Sequence, residues 1–221
     1  MRFGELIKNG EFTQKNIQCA NKKIVTPLQQ VEYFCKDGVN EYKTRFSIFG
    51  YQYIQVEYLD ENGSEIKLTD ELVAAMGVKA IAVYSDFETT FRFDSSNPLL
   101  NKFVENTLWS LKNNSADLPT DCPTRERHGW SGDAQIFVNT ASYMVNYAPF
   151  AMKYQNDLCD WQDKRGAFPQ IAPEGGTDFY MRTMNGSTGW ADAGVIVPWT
   201  IWKQFGDTSI IDECWESMEK Y

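Results

Sequence analysis

A β-sheet domain followed by an all-α domain is the architecture that this 221-residue sequence predicts. Three features predict it. Residues 1–94 break into short apolar or alternating runs separated by turn residues. At Ser95 the apolar period changes from strand-like to helical. Beyond it, apolar residues recur at helical spacing in roughly five segments joined in hairpin fashion, a pattern of strands first and helices after.

The sheet elements follow in order. Asn9-Gly10 lies between short apolar runs and is a hairpin turn, because both turn positions need a positive φ. Residues 31–35 form a short apolar strand closed by Lys36-Asp37-Gly38. Residues 41–59 alternate, with Ile54, Val56 and Tyr58 on one face and Gln55 and Glu57 on the other, up to the turn at Asn62-Gly63. Residues 79–85 and 88–94 are two further candidates, with Ile81 and Val83 on one face of the first and Phe91 and Phe93 on one face of the second. Several strands with turns between them predict a sandwich-like sheet domain over 1–94.

The helical part, 95–221, opens at Asn97-Pro98. An Asn side chain caps free N–H groups, and Pro has no N–H to lose at the first helical position. Leu100, Phe103, Val104, Leu108 and Leu111 keep helical spacing until Asn113-Asn114. Gly132-Asp133 leads into a second helix with an expected apolar stripe of Ile136, Phe137, Thr140, Tyr143 and Met144. Pro149 marks a break or the first turn of a third helix running to about Asp163. A long loop then passes Gly166, Pro173, Glu174, Gly175-Gly176 and Asp178 to Gly189-Trp190, a length often found at functional sites. A helix from about Asp192 to Phe205, kinked at Pro198, and a last one from Asp207-Thr208 complete the series. The last helix ends at Tyr221 with no cap signal, so the sequence is expected to be part of a longer protein.

Composition narrows the partners. The net charge of −9 argues against nucleic acid and anionic membrane, both polyanions. Hydrophobic content of 43% suffices for a buried core. The cysteines are Cys19, Cys35, Cys122, Cys159 and Cys214, odd in number and without a CxxC spacing. With a single histidine they predict neither a disulfide framework nor a zinc site, and they favour a reducing compartment. No signal peptide or membrane-length apolar run is visible, which leaves cytoplasm and periplasm open.

The densest chemistry lies in Asp121-Cys122-Pro123-Thr124-Arg125-Glu126-Arg127-His128-Gly129-Trp130-Ser131-Gly132-Asp133. Three carboxylates, two arginines, the only histidine and a tryptophan stand in a loop that feeds a helix. Such a loop is a carbohydrate site or a solvated charged loop. Cys122 lacks the placed histidine that a cysteine nucleophile needs and is expected to be a small buried residue. His128 is expected to pack the loop.

This stretch resembles the Asp-Cys-Pro…Arg-Glu-Arg…Gly-Trp…Gly-Asp signature of the bacterial α-L-rhamnosidases of glycoside hydrolase family 78. Flanking blocks agree in order: Ser96-Asn97-Pro98-Leu99-Leu100-Asn101 upstream, Gly50-Tyr51-Gln52-Tyr53 before it, and Gly189-Trp190-Ala191-Asp192-Ala193 with Val197-Pro198-Trp199 beyond it. The sequence departs from the family in that Arg125 directly precedes Glu126, Thr124 replaces a usual Gln, and His128 an apolar residue. The resemblance implies a β-sandwich segment followed by an incomplete (α/α)6 toroid of the six-hairpin type. It implies inverting hydrolysis of terminal α-L-rhamnosyl bonds, with no metal or organic cofactor.

Inversion needs two carboxyl groups roughly 6.5–9.5 Å apart, one to protonate the leaving oxygen and one to activate water. By resemblance Glu126 is the general acid, and the base lies outside these residues. Asp121 and Asp133 accept hydrogen bonds from sugar hydroxyls, and Asp133 also suits a helix start. Trp130 and Trp190 stack on the sugar or bury in the core. Arg125 orients a carboxylate or meets a hydroxyl. Phe49, Tyr51 and Tyr53 are expected to pack against the toroid rather than bind carbohydrate, and Glu174 and Asp178 to be solvated. A non-catalytic carbohydrate-binding protein and another toroid glycosidase are the competing readings.

Overall fold

The computed structural model describes residues 1–18, 28–176 and 179–221. Cys19 and Asp178 lie outside the described residues. The chain divides into two compact units, Met1–Val83 with Pro123–Arg125, and Tyr84–Cys122 with Glu126–Tyr221.

In the first unit, β1 (Arg2–Gly4) pairs antiparallel with β4 (Tyr53–Gln55), and β2 (Leu6–Lys8) with β3 (Glu11–Thr13). Asn9 and Gly10 turn between β2 and β3 with φ of 52° and 83°, the predicted hairpin. Phe3 and Ile17 are buried. Phe3 stacks on Phe49 at 4.5 Å between centroids and lies 5.3 Å from Tyr51, so these two aromatics pack within the unit. Tyr53 is exposed on β4.

The expected sandwich is not formed among the described residues, which hold two two-stranded ladders in its place. Of the alternating run 41–59 only β4 is a strand, although Ile54, Val56 and Tyr58 do share a half-buried face. Residues 31–35 and 79–85 are not strands, and 88–94 contributes only an isolated bridge between Thr89 and Val145. Alternation supplies a face, but a strand also needs a continuous neighbour for its N–H and C=O groups, and among the described residues these runs meet only isolated backbone contacts. A short exposed helix, α1 (Asp70–Met76), was not expected. Its signals are in the sequence: Thr69 Oγ1 accepts from Leu72 N, acidic residues fill the first turn, and Gly77 closes it at φ 57°.

The second unit carries α2 (Pro98–Asn113), α3 (Ser131–Met144), α4 (Ala148–Asp160), α5 (Phe179–Thr183), α6 (Ala193–Phe205) and α7 (Ser209–Lys220). Asn97 Oδ1 accepts from Leu99 N at 2.9 Å, the predicted cap of α2. The short α5 interrupts the loop that had no regular pattern in the sequence. α6 is the hub, packing on α3, α4 and α7, while α4 also packs on α7. Val138, Ala141, Tyr154, Leu158, Phe168, Val197, Ile201 and Ile210 fill the core between them.

Two details correct the sequence expectation. The buried face of α3 is made of Ser131, Gly132, Ala134, Val138, Ala141 and Ser142 with Met144. Ile136 and Tyr143, assigned to the apolar stripe, are 78% and 63% exposed. Small residues let the α6 backbone come close, and that contact outweighs the larger apolar side chains one turn-face away. Pro198 sits inside α6 and has no N–H for the carbonyl of Gly194 four residues back. Gln155 of α4, fully buried, donates its Nε2–H to that Gly194 oxygen at 2.9 Å. The interior proline is thus matched by a side chain from the neighbouring helix.

Candidate active site

The second unit gathers Asp121, Glu126, Trp130 and Asp133 around the N-terminus of α3. The loop is closed by its own hydrogen bonds. Asp121 N donates to His128 O at 3.1 Å, and Asp121 Oδ1 accepts from His128 N at 3.0 Å. Between them Cys122 Sγ accepts from Glu126 N at 3.1 Å. Arg127 adopts φ 54°, a left-handed conformation unusual for a residue with a side chain. Asp121 therefore holds the loop through one oxygen, and its carboxylate is only half-buried.

Residues 129–132 run beside 169–172. Ala172 N donates to Gly129 O at 3.0 Å, Ser131 N to Gln170 O at 2.8 Å, and the buried Tyr154 hydroxyl to Gly129 O at 2.9 Å. A Cβ on Gly129 would lie 2.1 Å from Ala172 O, so only glycine fits this approach. Ser131 Oγ donates to the carbonyls of Pro169 and Gln170 at 3.1 and 3.0 Å. These bonds anchor the first turn of α3.

Asp133 occupies that turn. Burial raises its carboxyl above the usual aspartate range, and the negative charges of Asp121 and Glu126 add to the rise, while a hydrogen bond to its own backbone N–H opposes it. The three carboxylates thus sit within electrostatic reach of one another. Asp121 and Asp133 line a cavity of about 260 Å³ together with Phe137 and Tyr147. Glu126 and Trp190 are not among its lining residues.

Trp190 is brought to the same turn from the far end of the long loop. A Cβ on Gly132 would fall 2.9 Å from the Trp190 ring and 3.0 Å from Gly189 O. Gln135 Nε2 donates to Gly189 O. Asp192 Oδ2 accepts from Gly189 N at 2.7 Å, and its Oδ1 accepts from the Tyr221 hydroxyl at 2.7 Å. The Gly189 N–H, then the Tyr221 hydroxyl, hold the Asp192 carboxyl below the usual range. From sequence Asp192 is only a helix start, and Gln135 carries no signal, because its partner is the Gly189 carbonyl, 54 positions away. Trp190 is 40% exposed, while Trp130 is half-buried at the N-cap of α3, its Nε1–H buried without a hydrogen-bond partner among the described residues.

Arg125 groups with the first unit, as do Pro123 and Thr124. Thr124 is buried there, and its carbonyl accepts from Gln29 Nε2. Glu174, expected to be solvated, has a side chain only 8% exposed and paired with Arg182. The pair flanks a second cavity of about 230 Å³, lined also by Trp161 and Met181. No group of three or more His, Cys, Asp or Glu residues able to hold a metal ion occurs among the described residues. No described helix is long and apolar enough to cross a membrane.

Residues 88–221 match the family model of the bacterial alpha-L-rhamnosidase 6 hairpin glycosidase domain. An alpha-L-rhamnosidase of Alteromonas sp. is 32% identical over the whole chain, which spans 22% of that protein. One from Streptomyces avermitilis is 33% identical over 83% of the chain, which spans 16% of that protein. The chain thus covers about a fifth of the length of the curated relatives it matches. Among solved structures, the rhamnosidase of Aspergillus terreus matches 99% of the chain at 30% identity with a TM-score of 0.72, covering 24% of that structure. The Streptomyces avermitilis enzyme, solved with L-rhamnose, matches 62% at 37% identity with a TM-score of 0.58, covering 13% of that structure. A family match spanning more than half of the sequence, with relatives of one name across its full length, places this chain in the bacterial α-L-rhamnosidase family, with residues 88–221 in its six-hairpin glycosidase domain.

Proposed function

We propose that this chain carries the sugar-binding and general-acid part of an inverting α-L-rhamnosidase, acting on terminal α-L-rhamnosyl residues of glycosides or polysaccharides. The observation that carries the reading is the clustering of Asp121, Glu126 and Asp133 at the start of α3, with Trp190 seated on Gly132 of the same turn. Glu126 protonates the departing glycosidic oxygen. Asp121 and Asp133 accept hydrogen bonds from ring hydroxyls, as ionised carboxylates do most strongly. Trp130 and Trp190 offer apolar ring faces to the methyl group and the C–H face of the sugar. Arg125 contacts a hydroxyl or orients a carboxylate. The base that activates water is assigned outside these residues, and no cofactor takes part.

The test is calorimetric and kinetic. The chain is expected to bind L-rhamnose, and Asp121→Asn and Trp190→Ala each to weaken it by about tenfold, the worth of one charged hydrogen bond or one stacked ring. Absence of binding at millimolar sugar would sink the reading. On an aryl α-L-rhamnoside the chain is expected to turn over little, because the base is missing from the assigned set. Robust turnover places the base within the chain. In that case Glu126→Gln should cost about 10²–10⁴-fold in kcat with binding retained, the usual contribution of a general acid.

A further inference from the structure

We propose that Cys159 and Cys214 form a thiol–disulfide modification site, at which hydroperoxides join helices α4 and α7 through a reversible disulfide. Cys159 stands in the last turn of α4 and Cys214 in the middle of α7, and the two helices pack together. Cys214 Sγ lies against Asn156, one turn before Cys159 on α4, and the two thiols lie close enough to interact. The surroundings hold both sulfurs in place. Gln155 Nε2 donates to Cys159 Sγ at 3.8 Å, the Ser217 side chain also bonds Cys159, and Cys214 Sγ donates to Asn156 Oδ1 at 3.8 Å. Just beyond α4, Gln162 Nε2 donates to Ser217 O and Gly166 O, both at 2.7 Å, tying that end to α7.

The two cysteines are not equivalent. Cys214 is 3% exposed, whereas Cys159 is half-buried and open to a small oxidant. Interaction with Cys214, then the hydrogen bonds from Ser217 and Gln155, pull the Cys159 thiol down to about 7 against the opposing effect of burial. The same partnership, with burial, pushes Cys214 up. Cys159, the more exposed of the pair, is the nucleophile and Cys214 the resolving thiol.

The chemistry balances with hydrogen peroxide as oxidant. Cys159 thiolate attacks the peroxide oxygen, the O–O bond breaks, and water leaves after one proton is taken up, giving Cys159 sulfenic acid. Cys214 sulfur then attacks the Cys159 sulfur. The S–S bond forms, the S–O bond breaks, and the hydroxide leaves as water with the Cys214 proton. Two thiols are oxidised by two electrons, and the peroxide is reduced to two waters. Neither remaining described cysteine has this arrangement: Cys35 is exposed, and Cys122 accepts from Glu126 N.

The experiment treats the reduced chain with stoichiometric hydrogen peroxide, blocks free thiols with iodoacetamide and digests without reductant. Mass spectrometry should find the Cys159 and Cys214 peptides joined, lighter by two hydrogens, with loss of both iodoacetamide labels and their return after dithiothreitol. Oxidation directed to Cys19, Cys35 or Cys122 while Cys159 and Cys214 stay labelled overturns the proposal. So does Cys159 sulfinic acid beside a labelled Cys214. In Cys214→Ser the joined peptide should vanish and dimedone should trap Cys159; no trapping removes Cys159 as the nucleophile. The wild-type measurement decides the matter even if that variant does not fold.

Discussion

Asp133 meets two opposing demands at the start of α3. Its carboxyl is raised by burial and by Asp121 and Glu126, so the folded state holds its proton more tightly than the unfolded state does. Between the two pKa values the native protein binds more protons, and stability falls as pH rises through that window. Ionised Asp133 is therefore a cost to the fold at neutral pH. Asp133→Asn is expected to raise the melting temperature at pH 7. The gain should shrink as pH falls through the raised folded value towards the ordinary aspartate value of 3.8, and be gone below it, where wild-type Asp133 is neutral too. In the proposed function the same substitution should weaken L-rhamnose binding, because a carboxylate acceptor is lost. Melting curves at several pH values, beside calorimetry, check both halves. A variant that is less stable at pH 7 refutes the electrostatic account.

Between helices, the decisive contact is the one that Gln155 makes to Gly194 O behind Pro198. Gln155→Leu should leave that buried carbonyl unsatisfied and cost about 1–3 kcal/mol. Pro198→Ala restores an N–H at the right position, so in that background the Gln155→Leu penalty should largely disappear. Urea denaturation of the four-member cycle measures the coupling. Equal penalties in both backgrounds would show that Gln155 acts only by packing. At the other end of the unit, Gly132→Ala puts a Cβ 2.9 Å from the Trp190 ring. Overpacking of this kind costs about 1–3 kcal/mol, and here it should also displace Trp190 and weaken sugar binding. Unchanged Trp190 fluorescence in that variant would contradict the contact. The starts of α2, α4 and α7 were legible because Asn97 and Asp207 bond N–H groups two residues on, and Pro149 has no N–H to lose in a first turn. The buried face of α3 was not, since Ala134 and Ala141 gain their importance only from the close approach of α6.

The helical unit leaves several apolar side chains in water. Leu99 and Phe103 of α2 are 78% and 66% exposed, and Trp199 of α6 is 52% exposed. Val195, Ile196 and Trp202 extend the open face of α6, whose other face is the hub of the core. Helices apolar all round are ordinarily covered on all sides. The chain by itself is expected to bind a hydrophobic dye such as ANS and to self-associate as concentration rises. Replacing Phe103 and Trp199 with Glu should reduce both without loss of helical circular dichroism. Light scattering that shows a monomer at all concentrations would count against this.

Local chemistry in the sequence determined much of this protein. Turn residues, caps and prolines marked the hairpin at Asn9-Gly10 and most helix boundaries, and the Asp121–Asp133 signature identified the family. Each of these signals works over a few residues or through a contiguous motif. Tertiary structure alone decided the rest. The runs at 31–35 and 79–85 needed continuous ladder partners and among the described residues found only single contacts, Val31 to Met1 and Ser85 to Ser115. Gln135 came to hold the Gly189 carbonyl and Tyr221 the Asp192 carboxylate, partnerships that no local pattern announces. Glu174 was withdrawn from water by Arg182, and Cys159 met Cys214 across two packed helices. In every such case a group's role depends on which distant group shields it from solvent or accepts its proton, and the folded backbone fixes that choice.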